Sequence, residues 1–141
     1  MKRIVIGCLI LLLAGVVVLG WAMFGDQSSF HAGLSSYAGF PPTASDITVY
    51  QTRNMSGLFV ADFRITEPEF VAFAKEQHWD LQPIPGSTAV FQAKAFHDGR
   101  PNDKRVVADG LFYSKRAANG GGVTATYDRR NGRGYIDKSS R

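Results

Sequence analysis

Residues Ile4–Phe24 (IVIGCLILLLAGVVVLGWAMF) run for 21 positions without a charge. A bilayer's hydrocarbon core is about 30 Å thick and takes roughly 20 apolar helical residues to cross. The stretch therefore predicts a transmembrane helix and leaves everything after it as a displayed domain. Lys2 and Arg3 precede the run, and the next basic residue is Arg53. Positive charge stays on the cytoplasmic side of a span. The expectation is a single pass through an inner membrane of bacterial type, with the N-terminus in and residues 25–141 out. Trp21 and Phe24 suit the far headgroup zone. Gly20-Trp21-Ala22 also resembles a cleavage site, which would release the domain to the periplasm. Signal-peptide cores are usually about 7–15 residues long, so the uncleaved anchor is the first reading. Cys8 reads as an apolar thiol inside the span.

Beyond the anchor there is no cysteine. Disulfides, cysteine zinc sites and thiolate catalysis are thereby excluded from the displayed part. The length left is enough for one domain, and nine of the ten phenylalanines lie in it. The net charge of +4 conceals an asymmetry. Residues 25–93 carry three Lys/Arg and seven Asp/Glu, whereas residues 94–141 carry eleven Lys/Arg and five Asp/Glu. The split suits a basic binding face or two halves that attract one another.

The division along the chain is anchor (1–24), linker (25–44) and displayed domain (45–141). Gly25–Ala44 is rich in Gly, Ser and Ala, ends in Pro41-Pro42 and shows no period. As a flexible coil it would reach about 25 Å. Phe30, Tyr37 and Phe40 are unusual in a spacer and suggest that part of it docks. Ile47–Arg53 and Leu58–Ile65 alternate as strands around turn residues Asn54–Gly57. Thr66-Glu67-Pro68-Glu69 then reads as a capping box. Phe70, Phe73, Ala74 and Gln77 continue it as one helical stripe, aimed at the Phe59/Phe63 face.

Trp79–Ile84 reads as a short extended segment, and Ser87–His97 as strand or short helix, strand preferred. Val106–Ser114 reads as one strand with Gly110 inside it. Val123–Asp137 reads as a hairpin. Asn131-Gly132 suits a two-residue type I′ turn that pairs Tyr127 with Ile136 and Asp128 with Tyr135. That register puts Val123, Ala125, Tyr127 and Ile136 on one face, and Thr124, Thr126 and Asp137 on the other. The fold expected is α+β: a transmembrane helix, then an antiparallel sheet of about five or six strands. Its order is ββα then hairpins, with one helix on one face.

No catalytic motif stands out. His31, His78 and His97 share no metal-ligand spacing, and a histidine at a helix end is ordinary capping chemistry. The triple glycine at 120–122 lacks the Lys-[Ser/Thr] of a phosphate loop. No cofactor or metal is implied. Arg129, Arg130 and Arg133 crowd the last turn, and Lys115 and Arg116 end a neighbouring strand. Guanidinium forks of this kind recognise carboxylates and phosphates. These five residues form the candidate interaction patch. The leading reading is a non-catalytic, membrane-tethered extracytoplasmic binding domain of the bacterial envelope with a protein partner. The second is a binder of anionic lipid or polymer through the basic hairpin. The third is a small hydrolase built on Asp62, Asp80, Asp109 and Asp128. Nucleic acid is not expected outside the cytoplasm, and RNP-type aromatic motifs are absent.

Overall fold

The computed structural model describes residues 12–20, 25, 27–53, 57–118 and 120–140. Residues 12–20 form a helix, α1. At about 1.5 Å per residue, the described part of it covers roughly 13 Å. Among the described residues no helix is long and apolar enough to cross a membrane. The single-pass anchor expected over Ile4–Phe24 is therefore not supported. The inner-membrane placement that rested on that anchor is not supported either. Residues 4–11 and 21–24 of that stretch lie outside the described residues, together with Lys2, Arg3 and Cys8.

The fold class is corrected as well. Among the described residues the chain is mostly antiparallel sheet, seven strands plus a separate pair, with three short helices. The strands are β1 (Ser28–Leu34), β2 (Ser45–Thr52), β3 (Leu58–Arg64), β4 (Gln82–Pro83), β5 (Thr88–Val90), β6 (Arg105–Val107), β7 (Gly110–Arg116), β8 (Gly122–Asp128) and β9 (Arg133–Ser139). Helix α2 spans Glu67–Glu76 and α3 spans Ala93–His97. The large sheet runs β1-β2-β3-β9-β8-β7-β4, and β5 pairs with β6. The strand that the sequence did not predict is β1. It comes from the supposed linker and pairs Phe30 with Tyr50 and His31 with Val49. Ser28–Leu34 lacks clean alternation because an edge strand covers little and stays mostly exposed. The Asn54-Met55-Ser56 part of the β2–β3 turn lies outside the described residues.

Helix α2 packs where its stripe predicts. Phe70, Phe73 and Ala74 are buried, and Phe63 meets Phe70 and Phe73 at ring-centroid distances of 6.3 and 6.4 Å. The Glu69 carboxylate reaches back to accept from the Thr66 backbone N–H (3.2 Å) and hydroxyl (2.6 Å). At the other end His78 takes a left-handed conformation (φ 58°). Trp79 then donates to the Ala74 carbonyl and His78 to the Lys75 carbonyl, a Schellman closure. From the supposed linker, Phe40 stands edge-on to Phe63 at 4.8 Å, and Ala44 is buried.

The last hairpin keeps its predicted faces in a different register. Tyr127 pairs with Gly134 and Ala125 with Ile136, two residues from the expected pairing. A shift of two leaves every side chain on its face, because side chains alternate with period two. Asp128 decides the loop. Its carboxylate accepts from the Arg130 backbone N–H (3.0 Å) and the Asn131 side chain (2.5 Å), which closes a four-residue turn in place of a two-residue one. Gly134 fits this register because a Cβ there would stand 2.7 Å from the Phe63 ring and 2.9 Å from that of Phe70.

The second face of the sheet, for which no covering helix was expected, is roofed by the β5–β6 pair and α3. Val90 and Val107 pack with Tyr135, and Phe96 stacks on Tyr50 at 5.6 Å. Ser87–His97 thus supplies both a strand and a helix. The predicted Val106–Ser114 strand breaks before Gly110, where any side chain would strike the Tyr127 carbonyl oxygen. The sheet is therefore buried on both faces, and Val60 and Asp62 of β3 are as hidden as Ala61 and Phe63.

Candidate functional site

The five basic residues do not form one patch. Lys115 and Arg116 end β7 opposite Val123 and Gly122, at the start of β8. Arg129, Arg130 and Arg133 surround the turn that follows the end of β8. The length of β8 separates the two groups by roughly 20 Å at about 3.4 Å per residue.

At the turn, two of the three guanidinium groups are already occupied. Arg129 grips Glu67 through two hydrogen bonds (2.8 and 2.7 Å) and donates to Asp109 at 3.1 Å. The bond from Arg129 holds the Glu67 carboxyl below its ordinary range. Arg133 donates to Asp46 and to Asp62, each at 2.6 Å. Burial pushes the Asp62 carboxyl up despite this partner, whereas the bond from Arg133 pulls the Asp46 carboxyl down. The Asp62 half of the cluster loses more in hydration than it regains. Arg130 is exposed and has no carboxylate partner among the described residues. The pairs with Glu67, Asp46 and Asp62 join residues 25–93 to residues 94–141, so here the charge asymmetry works as attraction between the halves.

The four aspartates considered for hydrolysis do not meet in one cleft. Asp62 lies under the start of α3, where the Ala93 N–H donates to it at 3.3 Å. Asp128 is buried, holds its own turn and faces Arg105 of β6 at 3.5 Å. Asp109 is engaged by Arg129, and Asp80 is exposed beyond the end of α2. Among the described residues no group of three His, Cys, Asp or Glu side chains converges to hold a metal.

The end of the sheet that carries Lys115 and Arg116 is different. A groove of about 290 Å³ lies there between α3 and the β7–β8 connection. Leu58, Phe91 and Phe96 give it apolar walls, Gly120–Gly122 form its rim, and Thr124 and Asp137 reach its floor from β8 and β9. The strands can close up at this rim because Gly122 has no side chain. A Cβ there would sit 2.6 Å from the Lys115 carbonyl oxygen. Phe91 and Phe96 meet edge to face at 5.4 Å, and the Lys104 ammonium lies 4.5 Å from the centre of the Phe91 ring. Lys104, Lys115 and Arg116 make no ion pair among the described residues. Among the described residues Asp137 is the one carboxyl that lines the groove. Burial raises its pKa to about 6, against the hydrogen bond from Thr124 and the charges of Arg116 and Lys104.

Sequence reasoning reached Lys115 and Arg116 but missed Phe91, Phe96, Lys104 and Asp137. Asp137 read as an outward polar residue, because nothing local in the sequence announces that residues 88–107 fold back over that face. A groove near 300 Å³ stands at the small end of ligand pockets. It takes one or two side chains, not a nucleotide cofactor. No protein family, characterised protein or solved structure matches the chain.

Proposed function

We propose that this chain is a non-catalytic binding domain that receives an acidic segment of a protein partner in the groove beside α3. The observation that carries the reading is the contrast between the two ends of β8. Arg129 and Arg133 are spent on the chain's own carboxylates. Lys115 and Arg116 line an aromatic-walled groove, Lys104 stands over its Phe91 wall, and among the described residues only the Asp137 carboxyl lines it against them. A carboxylate side chain of the partner would meet the Arg116 guanidinium in the forked geometry that favours carboxylates. A neighbouring apolar side chain would cover Phe91 and Phe96. A concave, aromatic-walled site suits side chains better than it suits a flat lipid surface.

The expected affinity is modest. Exposed charge pairs contribute up to about 1 kcal/mol each, and one buried apolar side chain about 2 kcal/mol. With three such pairs, the Kd at low salt is on the order of 0.1–1 mM. The test is a chemical-shift titration of the full chain with a peptide alternating glutamate and phenylalanine. Expected are shifts confined to the groove, weakening as salt is raised, and at least fivefold weaker binding by Lys115→Ala/Arg116→Ala with Arg130→Ala unchanged. Equal binding by the double variant overturns the reading. So does stronger binding to anionic phosphatidylglycerol vesicles than to the peptide, which would assign the groove to lipid.

A further inference from the structure

We infer that Asp137 gates the groove: its ionised carboxylate repels an anionic ligand, and its protonation admits the ligand. The inference rests on the binding role proposed above and adds its regulation. Among the described residues Asp137 is the sole carboxyl lining this groove, whose lining also holds Lys115 and Arg116, the cations a bound carboxylate would meet. The groups around it come from every element packed there. Arg116 of β7 and Lys104, ahead of β6, act on it as charges, and Thr124 of β8 by hydrogen bond. Val60 is its partner on β3 and brings no charge. Phe91 and Phe96 present carbon from the α3 side. His97 follows Phe96, but its ring stacks flat on Phe30 of β1 at 4.0 Å.

With Asp137 ionised, the described lining of the groove holds two cations, Lys115 and Arg116, and one anion; with it neutral, the anion is gone. The raised pKa places the change near neutral pH, where a small difference in proton activity alters the site. Binding therefore strengthens as pH falls through about 6. By linkage, a bound anion raises the pKa of Asp137 further. A rise of about one pH unit corresponds to a tenfold difference in affinity between the two protonation states.

The test uses the full chain and a phenylalanine peptide carrying cysteic acid in place of glutamate, so that the ligand's charge is constant. Binding is followed from pH 8 to pH 5 for the wild type and for Asp137→Asn. The expected result is roughly tenfold tighter wild-type binding at pH 5, with Asp137→Asn binding at both pH values as the wild type does at pH 5. A ¹³C carboxyl titration should show the Asp137 pKa rising when peptide is added. Wild-type binding that is equal at all pH values overturns the gate and leaves the groove standing. A pH response that survives in Asp137→Asn also overturns it. If neither protein binds at any pH, the groove reading fails and the gate with it.

Discussion

Charged residues do different jobs in this chain, and their surroundings decide which. Arg133 is mostly covered and stands between Asp46 and Asp62. Removing it leaves a buried carboxylate without a counter-charge. Arg133→Ala should cost about 3 kcal/mol in urea unfolding. Adding Asp62→Asn should restore part of that loss, because the orphaned charge is removed too. Arg130→Ala, in the same turn, should stay within about 0.5 kcal/mol, as surface changes usually do. Asp137 makes its own contribution to stability. Its folded pKa of about 6 lies above the ordinary aspartate value of 3.8. A group raised in this way favours the folded state fully below its unfolded pKa, and the benefit is lost as pH rises through the folded one. Stability should therefore fall by roughly 2–3 kcal/mol between about pH 4 and pH 7, at about 1.4 kcal/mol for each pH unit that separates the two pKa values. Asp137→Asn should flatten that slope in denaturant melts taken across the range. An unchanged slope would place the titration elsewhere.

Among the elements, α2 was the most legible. Its apolar stripe and the Thr66–Glu69 cap are local signals, and local signals survive into the structure. Its C-terminus holds a less favourable feature. His78 occupies the left-handed position where glycine carries no steric penalty. His78→Gly should raise stability by about 1 kcal/mol by thermal melting, since the Schellman bonds are made by backbone and do not need the imidazole. A loss of stability on that change would give the imidazole a structural role of its own. The final hairpin shows the reverse situation. Its two faces were readable from alternation, but its register was set by the side chain of Asp128 and by the room that Gly134 leaves for Phe63 and Phe70. An Asn-Gly pair permits a two-residue turn, and the carboxylate three positions earlier favours a longer one.

At the scale of the whole molecule, the supposed linker is part of the core. Phe40 lies against Phe59, Phe63 and Phe73, and Tyr37 packs edge-on to it. Phe40→Ala should cost about 2–3 kcal/mol, whereas in a free spacer it would cost nothing. Guanidinium unfolding of the full chain separates the two outcomes. Alternation, capping and turn residues determined the β2–β3 strands, helix α2, the polarity of the β8–β9 faces and the basic character of the C-terminal half. Each depends on neighbours a few positions away, so each is written locally. Tertiary structure alone decided that Ser28–Leu34 joins the sheet, that the β5–β6 pair and α3 cover its second face, and that the five basic residues divide between two ends of β8. The long apolar N-terminal run likewise carried a strong expectation, a membrane span, that no described helix fulfils. Contacts across dozens of residues set burial, and burial sets which charges are paired, which carboxyl titrates near neutral pH and where a groove opens.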